Sequence, residues 1–223
     1  MKKIVVVSIG GSKIVPKEVD YKFLKDLREI LKKLKNYKFV ICTGGGHTAR
    51  NYIKALAKDK IERKKQDEIG IEVTRLNAKL VMNFIKKCNK KIPTNLLEIK
   101  KMLKKNDIVI CGGLKPGRTS DGTTAEIAKY LNSELMINVT NVMGLYTKDP
   151  KKYKNAKFIP RIMHQSFKKM MDAVIEKPGM HFVLDSHAEK IVRKNKIQVL
   201  IIDKLKEMKN YLEDKKYKGT LIY

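Results

Sequence analysis

Ile4-Val5-Val6-Val7-Ser8-Ile9-Gly10-Gly11-Ser12 sets a β-branched run directly before a glycine pair. Such a run, bounded by glycine, reads as a strand buried on both faces, spanning residues 3–9. The arrangement recurs twice. Gly44-Gly45-Gly46 follows Phe39–Cys42, and Gly112-Gly113 follows Ile108–Cys111. Glycine lacks a Cβ, so each site reads as a strand end where backbone comes close to something. Tight turns use glycine in the same way. Three such sites at strand ends point to one shared crevice, where open α/β sheets bind ligands.

Outward from these sites the pattern alternates. Helical spacing covers 19–35, through Phe23, Leu27, Ile30, Leu31 and Leu34, and a second strand covers 38–43. A helix is expected from about His47, with Ala49, Tyr52, Ile53 and Leu56 on one face. Residues 58–66 are highly charged and read as a loop or helix turn. A longer helix is expected from Asp67 to Cys88, marked by Ile69, Val73, Leu76, Leu80 and Phe84. A helix at 94–104, a strand at 107–111, a loop at 112–121, a helix at 122–132 and a strand at 135–140 follow. A short strand at Ile159–Met163, helices at 164–176 and 185–195, a strand at 197–202, a helix at 203–214 and a strand near 220–223 complete the reading. The alternation argues an α/β sandwich with a mainly parallel central sheet. Residues 1–223 read as one domain, with a weak lobe boundary near 133–135.

Lys and Arg total 50 against 23 Asp and Glu, a net charge of +27. That balance attracts polyanions: nucleotides, nucleic acid or anionic lipid. Lysine dominates and is spread over the helices, as in Lys100-Lys101 and Lys104-Lys105. Such runs fit solvated faces better than a clustered nucleic-acid-binding stripe. The cysteines are Cys42, Cys88 and Cys111, with no C-x-x-C spacing. This argues against a disulfide framework or a cysteine metal site and for a reducing compartment. The apolar run at Ile4–Val7 is too short for a signal peptide, and no run approaches a membrane span. A cytoplasmic protein is expected.

Gly10-Gly11-Ser12 and Gly44–Gly46 precede helices, where backbone N–H groups and the helix dipole bind phosphate. Neither G-x-G-x-x-G nor G-x-x-x-x-G-K-[ST] is present. Two cradles suggest two phosphorylated ligands, or one transferred group between them. Phosphoryl transfer needs in-line positioning and positive charge around the equatorial oxygens. Lys13, Arg50, Arg75, Lys115 and Arg118 lie in or beside the glycine loops and the helices after them. Each alone is an ordinary surface charge; together with the loops they make an anion site.

Ile9-Gly10-Gly11-Ser12, Gly44-Gly45-Gly46-x-x-Ala49-Arg50, the string Thr140-Asn141-Val142-x-Gly144-Leu145-Tyr146-Thr147-x-Asp149-Pro150 and the terminal Gly219-Thr220-x-Ile222 resemble the amino acid kinase superfamily. Within it the chain most resembles the archaeal type of uridylate kinases. Asp67, Gly70-Ile71-x-x-Thr74-Arg75-x-Asn77-Ala78 and Gly112-Gly113-x-x-Pro116-Gly117-x-Thr119-Ser120-Asp121 carry that narrower likeness. It extends over essentially the full length.

The resemblance implies a three-layer αβα fold and transfer of phosphate from ATP to UMP, giving UDP for pyrimidine nucleotide synthesis. It implies an acceptor-side lobe at about 1–133 and an ATP-side lobe at about 134–223. By the same likeness Ile9, Gly10, Gly11, Ser12, Lys13, Gly46 and Arg50 lie at the ATP phosphates, and Thr140, Asn141, Tyr146 and Asp149 hold the adenosine. Gly45, Asp67 and the loop Leu114, Lys115, Pro116, Gly117, Arg118, Thr119 and Ser120 take UMP. Lys13, Arg50 and Asp121 are the catalytic candidates, and Asp121 organises the basic residues around the phosphates. Asp67 and Asp121 fit helix N-caps equally well, and Tyr146 could instead pack beneath a turn. Mg²⁺ is expected with ATP, held mostly by phosphate and water and not by an all-protein site. The helix around Thr74, Arg75 and Ala78 would lie at a subunit interface, in a hexamer, or simply pack within the monomer.

Many members of the superfamily carry a lysine two residues before the first glycine pair, where Ser8 stands here. Losing it removes charge stabilisation from the transition state. Lys13, Arg50 and Mg²⁺ are the candidate replacements. His47, His164, His181 and His187 show no metal spacing. Isopentenyl phosphate kinases of the same superfamily place a histidine before the triple glycine, where this chain has Thr43. Another small-phosphate kinase, an ATP-binding protein without turnover, and a basic nucleic-acid binder are the competing readings.

Overall fold

The computed structural model describes residues 2–148, 150, 152–175 and 183–223. Strand β1 (Lys3–Ile9) is followed by a one-turn helix α1 (Gly11–Ile14), helix α2 (Tyr21–Lys33) and strand β2 (Tyr37–Thr43). Helices α3 (Gly46–Lys58), α4 (Arg63–Ile85) and α5 (Leu96–Lys105) lead to β3 (Ile108–Cys111) and α6 (Ser120–Tyr130). Then come β4 (Leu135–Val139), β5 (Leu145–Tyr146), β6 (Phe158–Ile159), β7 (Arg161–Ile162) and α7 (His164–Ile175). Helix α8 (Ser186–Lys194), β8 (Gln198–Ile202), α9 (Leu205–Leu212) and β9 (Thr220–Ile222) follow.

Among the described residues the central sheet has seven strands in the order β3-β2-β1-β4-β8-β9-β7. The five strands from β3 to β8 are mutually parallel. β9 runs antiparallel to β8, and β7 pairs with β9 alone. Alternation along β1 sends Val5, Val7 and Ile9 to one face, where Leu24 and Leu27 of α2, Val81 and Ile85 of α4 and Met208 of α9 cover them. Val6 faces the other way, into a layer containing Ile99 of α5, Ile127 of α6, Phe167 of α7 and Val192 of α8. This is the three-layer αβα sandwich with a mainly parallel sheet that the sequence predicts. Helix starts are capped as their residues suggest: Asp20 accepts from Phe23 N at 2.8 Å and Asn95 from Glu98 N at 2.9 Å.

Some boundaries and faces differ from expectation. α4 begins at Arg63, four residues before Asp67, and α6 begins at Ser120. The strand expected at Ile159–Met163 is two short strands separated by Pro160, which has no N–H to donate to a ladder. On α4 the buried face is Val73, Asn77, Ala78, Val81 and Ile85, so Ile69 and Leu76 are 39% and 60% exposed. The end of the helix expected at 164–176 lies outside the described residues. No helix among the described residues is long and apolar enough to cross a membrane.

Strand order reverses between β1 and β4: β2 and β3 lie to one side of β1, β4 and β8 to the other. Open α/β sheets place their ligands at such a switch point, outside the carboxyl ends of the strands. Gly10 N–H donates to Val139 O at 2.9 Å and spans that switch.

Candidate active site

The first two glycine clusters meet each other. A Cβ on Gly11 would stand 1.9 Å from Gly46 N and 2.6 Å from Gly44 C. One on Gly44 would stand 2.5 Å from Gly11 N. Gly46 has φ +67°, and a Cβ there would come within 2.4 Å of Gly11 O. The two clusters therefore form one interlocked floor at the ends of β1 and β2, not two separate cradles. The third cluster abuts α4: a Cβ on Gly112 would lie 2.7 Å from Arg75 N and from Thr74 Oγ1. Chain packing alone thus demands these glycines. What remains for a ligand is backbone N–H. α1 holds only four residues, so the N–H groups of Gly11 and Ser12 have no acceptor within it.

Beside this floor lies a cavity of about 200 Å³ over the ends of β2 and β3. Gly44 and Gly45 line one side, Ala49 and Ile53 of α3 a second, and Asp67, Gly70, Ile71 and Thr74 of α4 a third. Gly113 and the loop Lys115, Pro116, Gly117, Arg118, Thr119 and Ser120 close it. Every acceptor-side residue singled out in the sequence therefore meets here except Leu114, which packs against the core. The walls are tied together by buried polar groups. Asn77 Nδ2 donates to Gly44 O at 2.8 Å and Gly45 O at 3.2 Å. Thr43 Oγ1 donates to Thr74 O at 2.8 Å, and Gly113 N–H donates to Thr74 Oγ1 at 2.7 Å.

Asp67 is not a cap. It lies in the second turn of α4, whose N-cap is Glu62, and its Oδ2 accepts from Gly117 N at 2.9 Å. The 115–120 loop is thereby pinned to α4 beside the cavity. Asp121 is not a cap either. Thr119 caps α6, its hydroxyl accepting from Gly122 N at 3.0 Å. Asp121 Oδ1 instead accepts from Ser8 Oγ at 2.8 Å. Ser8 is fully buried and lies opposite Asn138 in the β1–β4 register. The Asp121 carboxyl stands raised at about 6: burial pushes it up most, the Ser8 hydroxyl pulls it down, nearby Asp185 raises it and Asn138 lowers it. The place of the missing lysine thus holds a hydroxyl bound to a half-buried carboxylate.

On the other side of the switch, Asn141 Nδ2 donates to Ser12 Oγ at 2.7 Å, so two residues expected at ATP touch directly. Ile9 is buried, and its carbonyl accepts from Gly44 N at 2.9 Å. Thr140 N–H donates to Ile202 O at 2.9 Å. The Tyr146 ring meets Phe158 with centroids 5.4 Å apart, across the β5–β6 pair. Lys13 Nζ sits 6.0 Å from the Phe23 ring centroid, in a groove between α2 and the start of α9. Arg50 is exposed on α3 and makes no hydrogen bond or ion pair among the described residues. Asp149 lies outside the described residues. Among those residues no group of three or more His, Cys, Asp or Glu side chains could hold a metal ion.

Sequence reasoning gave no site role to Ile53, Gly70, Glu126, Asp185 or His187. Glu126 of α6 and Asp185 at the start of α8 bond the 115–120 loop, and His187 bonds Glu126. Asn77 and Thr74 stand in the quoted motif, and Asn77 is the one polar residue on the buried face of α4.

The family described as the amino acid kinase family matches residues 3–203. A curated uridylate kinase from Methanococcus aeolicus is 32% identical over 222 residues, covering 98% of each chain. A uridylate kinase from Thermococcus sibiricus is 34% identical over 224 residues, again covering 98% of each. The crystal structure of uridylate kinase from Archaeoglobus fulgidus superposes with a TM-score of 0.88 at 30% identity over the whole of both chains.

Proposed function

This chain belongs to the amino acid kinase family, and from that premise we propose that it transfers the terminal phosphate of ATP to UMP, giving UDP for pyrimidine nucleotide synthesis. The single observation that carries this reading is the cavity beside the glycine floor: a site for a small acceptor next to backbone N–H groups that have no acceptor within α1 and are fit for phosphate. The curated relatives named above support UMP as the acceptor.

On this reading residues 1–133 form the acceptor side and 134–223 the ATP side. Gly45, Asp67 and the 114–120 loop bind UMP, with Lys115 and Arg118 as the cations near its phosphate. Gly11, Ser12 and Gly46 supply N–H groups to the group in flight, and Gly10, whose N–H is held by Val139 O, lets the backbone pass close beside it. Asn141, held on Ser12, joins Thr140, Tyr146 and Asp149 around the adenosine. Mg²⁺ arrives on ATP, whose phosphates and water supply most of its ligands. The donors present at the strand ends, the Asp121 carboxylate and the Ser8 and Ser12 hydroxyls, are hard oxygens that suit it. Lys13 or Arg50 supplies positive charge that a lysine at position 8 would otherwise give. Exposed Tyr52, Ile69 and Leu76 on α3 and α4 support a homo-oligomer; a hexamer and a cytoplasmic location are expected from the family likeness.

Mixing the chain with Mg-ATP and each of UMP, CMP, AMP and isopentenyl phosphate tests the reading. UMP is expected to be phosphorylated with the highest kcat/KM. Faster turnover of any other acceptor overturns the assignment, and tight ATP binding with no UDP formed overturns the enzyme.

A further inference from the structure

Two consecutive residues of the acceptor loop are tied to the start of α8. The Thr119 hydroxyl donates to Asp185, the residue that caps α8. Arg118 Nε donates to Glu126 Oε1 at 3.0 Å, and His187 Nε2 meets the same oxygen at 2.8 Å. One carboxylate oxygen of α6 thus joins a loop residue to a helix 61 residues further along the chain. The His187 backbone is itself fixed, its amide N–H donating to Asp185 Oδ1 at 2.7 Å. Gly122 makes the approach possible: a Cβ there would stand 3.3 Å from His187 Cδ2 and 3.5 Å from Asp185 Oδ2. Partial burial pushes the Glu126 carboxyl up, but the bonds from His187 and Arg118 outweigh it and hold it below its ordinary range.

Arg118 lines the cavity and is one of its two cations. Its guanidinium carries five N–H donors in a fixed fork. Glu126 takes the Nε edge, and Nη1 makes only a 3.5 Å contact with Gly117 O. Nη2 is left for a ligand anion. A long side chain free in solvent must be ordered when its ligand arrives, and holding it beforehand removes that cost.

We infer that Glu126 and His187 are positioning residues for the acceptor: they hold the Arg118 guanidinium by its Nε edge, so that its remaining donors meet the acceptor's phosphate without reordering the loop. The inference rests on the proposed function, because it takes the cavity as the acceptor site.

Calorimetric titration of the full chain with UMP, and separately with ATP, tests it without turnover. Glu126→Gln keeps the size of the side chain. It is expected to raise the UMP Kd about fivefold while the ATP Kd moves less than about twofold. His187→Ala should act in the same direction, and His187→Gln, which restores a side-chain donor, should recover most of the affinity. In an Arg118→Ala background, Glu126→Gln should add less than about twofold. Steady-state kinetics should place the effect in the UMP KM and not in kcat. Equal weakening of both nucleotides, additivity in the Arg118→Ala background, no rescue by glutamine, or tighter UMP binding would each overturn the inference. A wild-type chain that binds UMP without phosphorylating it overturns the proposed function and leaves this test intact.

Discussion

Asp121 meets the buried donors Ser8 and Asn138, from adjacent strands, and lies near the carboxylate of Asp185. Its carboxyl stands at about 6 against an ordinary 3.8, so the folded chain binds that proton more tightly than the unfolded chain. Stability from this group is therefore fully present below pH 3.8, falls as pH rises through 6, and stays low above. Asp121→Asn removes the titration. It is expected to raise Tm at pH 7.5, by stabilisation on the order of 1–3 kcal/mol, with the gain shrinking towards pH 4. Thermal melts across that range check it, and an equal gain at every pH would rule out the carboxyl's titration as the source. The sequence marks Ser8 as a departure, and hydrogen bonding explains how the site accommodates it. It leaves Asp67 and Asp121 open between cap and ligand contact. The true caps remove the cap reading, because Glu62 and Thr119 precede both carboxylates. Glu126 and His187 were not legible: they meet only because α6 packs on α8, and no local spacing encodes a contact of that kind.

At the scale of elements, the strands were the clearest part of the sequence because burial on both faces leaves a continuous apolar run. α4 was harder. Its apolar periodicity through Ile69 and Leu76 lies on an exposed side, while Asn77 and Ala78 occupy the covered one. The polar Asn77 belongs inside because it donates to the glycine floor, a demand invisible to hydrophobic spacing. α1 is a single turn, too short to show any period. The glycines themselves are separable by experiment. Gly11→Ala drives a methyl into the backbone of Gly44 and Gly46 and is expected to cost about 3 kcal/mol or more. Gly117 has φ +72° with nothing within 4 Å of an added Cβ, so Gly117→Ala should cost only about 1–2 kcal/mol, from the backbone alone. Denaturant unfolding ranks the pair, and equal costs would show that the interlocked floor is not tightly packed.

For the whole molecule, a net charge of +27 acts through self-repulsion as well as through attraction of anions. Raising NaCl from about 20 mM to about 300 mM shortens the screening length severalfold and is expected to raise Tm by about 2–5 °C. Differential scanning fluorimetry checks this, and a falling Tm would mean that attractive ion pairs dominate the surface. The sheet carries a different consequence. Among the described residues β7 pairs only with β9, and Thr220 Oγ1 donates to Ile159 O, 61 residues earlier, while accepting from Leu145 N. During synthesis β5, β6 and β7 therefore leave the ribosome well before the segment that secures them. The adenosine side of the proposed site can close only after β9 has emerged, whereas β1, β2 and β3 can already be paired. A nascent chain halted after β8 should present a finished acceptor half beside an open donor half.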